Sequence, residues 1–162
     1  MTLNARSEAV RRRLLRPWNF RLYLWARLPL AACAGLSLRR LDDAGCTVGL
    51  PGGWRTQNPF RSMYFAAQSM AAEMSTGAPA MMLAEGASAS VSMLVREVRG
   101  VFTRRIQGEA EFTFEDLAGM RETVDRAVAT GESESFVARS VGRTRDGGAA
   151  AEFEITWSFK RR

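Results

Sequence analysis

The chain has 162 residues, 46% of them hydrophobic and 25% charged, which suits one globular domain with its own core and excludes a disordered or fibrous chain. It contains no histidine, which removes imidazole acid–base catalysis, histidine triads and histidine metal sites, and its two cysteines, Cys33 and Cys46, are too few for a cysteine-only zinc site. The net charge of +6 is terminal: residues 1–27 hold seven arginines against Glu8 alone, and Lys160, Arg161 and Arg162 close the chain. Residues 28–159 carry 13 basic and 16 acidic side chains, so the body lacks the basic, aromatic-laced face of a nucleic-acid binder, and nucleic acid is not an expected partner.

Residues 1–27 read as a basic helical segment ahead of a single domain over 28–162. Residues 4–15 make a first helical stretch, stopped near Pro17. Trp18 to Leu28 makes a second, with a stripe of Trp18, Leu22, Trp25 and Leu28 at spacings of 4, 3 and 3. Two readings of that stripe stand: a face packed on the domain, or a basic amphipathic element making peripheral contact with an anionic membrane. Leu30-Ala31-Ala32-Cys33 has the look of a lipoprotein cleavage box, but Arg21 and Arg27 interrupt the apolar run such a leader needs, so an intact cytoplasmic chain with no spanning segment is expected. Cys33 and Cys46 then read as reduced thiols, with a disulfide allowed but not required.

Leu36–Leu41 and Cys46–Leu50 are expected as short strands around the turn Asp42-Asp43-Ala44-Gly45. After a Pro51-Gly52-Gly53 break, Ser62 is the expected N-cap of a helix reaching about Thr76, with Gly77 and Pro79 as its stop. Its small and apolar residues run nearly all round, which predicts a buried helix. Ser88–Val98 and Gly108–Phe114 alternate as strands. Thr113 with Asp116 resembles a capping box for a helix whose apolar face is Leu117, Met120, Val124 and Val128, ending at Gly131. Glu134–Arg145 and Ala149–Lys160 read as a hairpin around Asp146-Gly147. The order is helix, two strands, buried helix, two strands, helix, two strands. A curved antiparallel sheet around the buried helix covers it best.

Inside that helix sits one acid, Glu73. A carboxylate there is costly to desolvate unless it is paired, hydrogen-bonded or used in chemistry. The partners available to a purely structural Glu73 are Asn58, Gln68 or a backbone group. Glu85 has a weaker claim to a role, lying beside Gly86.

The segment 58–73 also resembles the motif of small acyl-CoA thioesterases of the phenylacetate-pathway type. In that motif an Asn precedes His-Gly-Gly-Ala, and an Asp or Glu follows. Here Asn58 stands six residues before Tyr64, Glu73 stands nine after it, and Ala67 and Ala72 match the small positions. A second branch of the same superfamily carries a similar Asn…Ala-Ala/Gly…Ala-Glu helix. The resemblance implies an α+β hotdog fold, a curved antiparallel sheet wrapped around a central buried helix, here with an extra N-terminal helix. It further implies hydrolysis of an acyl-CoA or acyl-carrier thioester, with coenzyme A entering as substrate and no other cofactor or metal. A homodimer or dimer of dimers is implied too, with the strand Ser88–Val98 of the partner lining the site.

Carried onto this sequence, Glu73 is the general base or nucleophile, and Asn58 or Gln57 orients water or the carbonyl. Tyr64 donates a hydrogen bond, Phe65 and Ala66 offer oxyanion N–H groups, and Gln68 adds a binding group. Met70, Met74, Met81, Met82 and Met93 suit either an acyl tunnel or a core. Arg96, Arg99, Arg104 and Arg105 are candidates for coenzyme A phosphates, or else solvated strand ends. Three departures favour an alternative, a non-catalytic acyl- or lipid-binding protein: Tyr64 replaces the histidine, Phe65-Ala66 the glycine pair, and Arg61 a loop glycine.

Overall fold

The computed structural model describes residues 3–162. Three N-terminal helices come first, α1 (Ala5–Leu15), α2 (Pro17–Arg27) and α3 (Pro29–Ala34). The strands β1 (Ser37–Leu41) and β2 (Cys46–Leu50) lead to the long helix α4 (Phe65–Gly86). Then follow β3 (Val91–Phe102), β4 (Ala110–Phe114), α5 (Leu117–Thr130) and the hairpin β5 (Glu134–Thr144) and β6 (Ala149–Arg161). All strand pairs are antiparallel, in the order β1-β2-β4-β5-β6-β3. The sheet curves around α4, which is the hotdog arrangement.

Composition explains why α4 lies at the centre. Ala71, Ala72, Ser75, Thr76, Ala80 and Met82 are fully buried, so no side of the helix needs water. The sheet supplies the opposing bulk from Val48, Phe112, Phe153, Ile155 and Phe159. Edge-to-face contacts of Phe153 with Phe112 and Phe102 tie three strands together. Two polar contacts fix the helix on the sheet: the buried hydroxyls of Ser75 and Ser140 meet at 2.8 Å, and the Trp157 indole N–H donates to Thr76 Oγ1 at 2.9 Å.

Several expectations are corrected. α4 does not stop at Gly77 and Pro79 but runs 22 residues to Gly86. Pro79 removes one backbone donor, yet burial of Ala78, Ala80, Met82 and Leu83 outweighs that local penalty. The N-cap is Tyr64 rather than Ser62, and it makes no side-chain cap bond. No capping box forms at α5: Asp116 itself caps the Gly119 N–H, while Thr113 pairs with the Thr47 hydroxyl. Ala127 takes the buried place expected of Val128. The third strand starts three residues later than expected and continues to Phe102.

Of the two readings of the α2 stripe, the one that packs it on the domain is overturned. Trp18, Leu22, Trp25 and Leu28 are exposed, and Phe20 and Leu24 are the buried pair. Helix α2 is apolar on both sides, so spacing alone admits two stripes. The elbow at Arg16-Pro17 turns the Phe20 side inward. Through Val10, Leu14, Phe20 and Leu24, residues 3–27 join the same core as the rest of the chain. Helix α1 reaches the far end of α4, where Asn4 Nδ2 donates to the Gly86 carbonyl and a Cβ on Gly86 would collide with Ser7 Oγ.

Candidate functional site

Glu73 lies in the third turn of α4, half-buried, and its carboxylate has no hydrogen bond or ion pair among the described residues. Asn58 and Gln68, the expected structural partners, do not reach it. The carboxylate leans over Gly77, where a Cβ would stand 3.0 Å from Glu73 Oε1 and 3.2 Å from Trp157 Cζ2. Glycine at this position is thus what lets the acid and the indole share the space. The carboxyl opens on a cavity of about 230 Å³ walled by Met74, Met81, Met93 and Trp157 and roofed by Leu14, Phe20, Tyr23 and Leu28. Burial in these apolar surroundings raises the Glu73 pKa.

Tyr23 is a neighbour that local sequence patterns do not disclose, because it comes from α2 across a long chain separation. Its hydroxyl meets Met81 Sδ at 3.4 Å. Its pKa is raised by burial first, and then by the negative charges of Glu85 and Glu73. Glu85 itself points away from the cavity, paired with Arg13 at 2.9 Å.

A second opening lies at the start of α4. This groove of about 720 Å³ runs from Trp25 and Leu30 past Trp54 and Gln57 to Tyr64, Ala66 and Met70. Gln57, Tyr64 and Ala66 therefore share one surface. The Phe65 ring turns away from it, edge-on to Tyr64 and to Phe102 of β3, so it does not crowd the groove. Asn58 lines neither opening. Its Oδ1 accepts from the Phe60 N–H at 3.0 Å and from the Ser62 N–H and hydroxyl at 3.2 Å. It is a loop staple, and the turn it holds carries Arg61 at φ 57°, the left-handed conformation that a glycine adopts without strain. Gln68 is buried beneath the same turn. Its Nε2 donates to the Met63 carbonyl at 3.1 Å, and its Oε1 has no partner among the described residues.

The four candidate arginines divide. Arg99 pairs with Glu154 at 3.6 Å and Arg104 with Asp146 at 2.7 Å, whereas Arg96 and Arg105 have no acidic partner among the described residues. The Thr144 hydroxyl, followed by Arg104, holds the Asp146 carboxyl far below its ordinary range. Cys33 is exposed and Cys46 buried, both as free thiols. Burial pushes the Cys46 thiol up and leaves it unreactive. Among the described residues no helix is long and apolar enough to cross a membrane.

No protein-family model and no curated protein sequence matches the chain. Solved structures do match. One is a Pseudomonas aeruginosa protein of unknown function described as a probable thioesterase; it aligns with a TM-score of 0.73 at 20% identity, over 90% of this chain and 97% of its own. A protein of unknown function from Chlorobaculum tepidum aligns at 0.76 and 12% identity, over 91% and 98%. A thioesterase variant from Pseudomonas aeruginosa aligns at 0.66 and 18%, over 88% and 94%. What these proteins share with this chain is the hotdog fold.

Proposed function

We propose that the chain is a homodimeric thioesterase that hydrolyses an acyl-CoA or acyl-carrier thioester, with Glu73 as general base or nucleophile. The observation that carries this reading is the unpartnered Glu73 carboxyl, kept over Gly77 in an apolar cavity with its pKa raised. A structural acid would be matched by a donor or a cation. A base near neutrality needs the opposite environment.

As base, Glu73 takes a proton from water while the water oxygen bonds to the thioester carbonyl carbon. The carbonyl oxygen becomes an oxyanion held by the Phe65 and Ala66 N–H groups, at the positive end of the α4 dipole. When the intermediate collapses the C–S bond breaks, and the proton passes from Glu73 to the departing thiolate. As nucleophile, the Glu73 carboxylate attacks the carbonyl carbon and the C–S bond breaks to release the thiolate, giving an anhydride; water then opens it, which releases the acyl acid, returns the carboxylate and supplies the proton that the thiolate takes up. Gln57 and Tyr64, both on the groove, suit orientation of the substrate carbonyl. Asn58 serves by holding the loop that leads into α4. Arg96 and Arg105 are the better candidates for coenzyme A phosphates, because Arg99 and Arg104 already face carboxylates. The proposed chemistry draws on no cofactor.

One helix does not supply both halves of this site. At 1.5 Å rise per residue, the Phe65 N–H and Glu73 stand about 12 Å apart along α4. A second copy running antiparallel would bring its Glu73 to the first turn of this α4. The sheet offers a place for that copy, since β3 is an edge strand of 12 residues with Leu94, Val98, Val101 and Phe102 exposed.

The test is a panel of acyl-CoA substrates with a thiol-detecting reagent. Turnover is expected with the native chain, and Glu73→Ala is expected to lower it at least about a hundredfold. Undiminished turnover by Glu73→Ala removes that residue from the mechanism. A second reading, a non-catalytic acyl binder, is favoured by one observation: the roof of Leu14, Phe20, Tyr23 and Leu28 over the cavity. Native mass spectrometry that finds a retained acyl species, together with no hydrolysis across the panel, would select it.

A further inference from the structure

The thioesterase reading uses the outer face of α2 only at its edge, where Trp25 and Leu30 border the groove at the start of α4. Trp18 (82% exposed), Leu22 (69%) and Trp25 (56%) stand 4 and 3 residues apart, so they share one side of the helix, and Leu30 of α3 (71%) extends the patch. The opposite side of α2 is already spent on the core through Phe20 and Leu24. These large side chains therefore lie outside the core of the chain. Arginines accompany them on the same segment: Arg21 borders Trp25 and Arg27 borders Leu22, and Arg12, Arg16 and Arg21 are exposed with no acidic partner among the described residues. Some cations elsewhere are neutralised, as in Arg13 with Glu85 and Arg104 with Asp146, while Arg96 and Arg105 stand alone on or after β3 without such an apolar stripe of indoles beside them.

We infer that this face of α2 and α3 docks on an anionic lipid bilayer. Two indoles and two leucines pointing outward suit the headgroup–acyl boundary, where an amphipathic ring finds both an apolar and a wet side. Unpaired arginines beside them meet lipid phosphates, and guanidinium–phosphate contacts complement the charge that the rest of the surface leaves unbalanced. A nucleic acid would use the arginines but not Leu22 and Leu30. A protein partner of ordinary composition would not need the arginine density. With α2 lying flat, its inner face still supplies Phe20 and Tyr23 to the roof over Glu73, so the docked helix is also a wall of the cavity. The docking stands independently of whether Glu73 is catalytic.

The test is co-sedimentation of the full chain with phosphatidylcholine vesicles with and without phosphatidylglycerol. Binding is expected only with the anionic lipid, falling as salt rises. Arg16→Glu/Arg21→Glu is expected to weaken it at least tenfold. Trp18→Ser/Trp25→Ser is expected to weaken it as well and to abolish the blue shift of tryptophan emission on binding. All four sites are exposed, so circular dichroism should show both variants folded. The inference is overturned if the native chain stays in the supernatant with anionic vesicles at low salt. It is equally overturned if neither double variant changes the pelleted fraction. Loss of an oligomer by Trp18→Ser/Trp25→Ser, with vesicle binding intact, would assign the face to a second copy instead.

Discussion

The first and third turns of α4 are two turns apart in one helix and are built on opposite terms. The first turn is open: Tyr64 and Phe65 are exposed, Ala66 borders a broad groove, and no side chain caps the N–H groups. The third turn is more sheltered: the half-buried Glu73 sits under a roof of N-terminal side chains with a glycine beneath it. One end offers partial positive charge without a counter-charge, and the other offers a carboxyl without a cation. Each half is unfinished alone, and the helix between them holds the two apart at fixed distance. That separation is the physical reason to look for the complementary half in another copy of the chain.

The sharpest way to break this comparison is to stop the second copy from arriving. Leu94→Glu/Val98→Glu places charge on the exposed face of β3 and should convert a dimer into a monomer by light scattering. If the site is shared, turnover should vanish with it. A monomer that keeps full activity would mean that one helix suffices after all. Gly77→Ala attacks the third turn alone. Alanine gains about 1 kcal/mol of helix propensity over glycine, but its methyl meets Glu73 Oε1 at 3.0 Å. These terms offset, so the melting temperature should move little while kcat/KM falls several-fold as the carboxyl is displaced.

The raised Glu73 pKa supplies a pH test with a definite sign. The folded chain holds the proton more tightly than the unfolded one, so the stability this group contributes is present at low pH. It is lost as pH rises through the folded pKa. Glu73→Gln should therefore be more stable than the native chain at neutral pH, with the gap closing in acid, as read by thermal melts at both pH values. Hydrolysis should run the other way, rising with pH as Glu73 ionises, with its acid limb above the ordinary carboxylate range. The smallest effect belongs to the approach to the first turn. Arg61→Gly relieves the left-handed conformation at φ 57° but loosens the unfolded chain, so chemical denaturation should register a gain of no more than about 1 kcal/mol.

The elements that sequence exposed best are those whose pattern has one solution. In β6, Phe153, Ile155, Trp157 and Phe159 alternate with polar neighbours and are all buried, and β2 begins and ends where its composition says. The Asp146-Gly147 turn was equally legible, with Gly147 at φ 83°. Failures fell where tertiary contacts decide. Pro79 looks like a stop to any local reading, and only its buried neighbours keep α4 going. The two faces of α2 are equally apolar, so the Phe20–Leu24 side could be chosen only with the core in view. At the site, Glu73 was visible as an acid in an apolar run, whereas the surface shared by Gln57, Tyr64 and Ala66 emerges only from the fold around the start of α4. Asn58 as a loop staple and Tyr23 as a cavity wall were not visible, because the first depends on an amide's orientation and the second on packing across α1 and α2.

The seam between Asn4 and Gly86 has a consequence for how the chain comes into being. The hydrogen bond joins residues 82 positions apart, and the Arg13–Glu85 pair spans 72. During synthesis the arginine-rich helices emerge before α4, and their docking site at its end follows only after about 4–16 s at ordinary elongation rates. For that interval these basic, tryptophan-bearing helices have one another and β1 to pack on, but not α4. The order of synthesis thus exposes this segment to its surroundings before the central helix is there to restrain it.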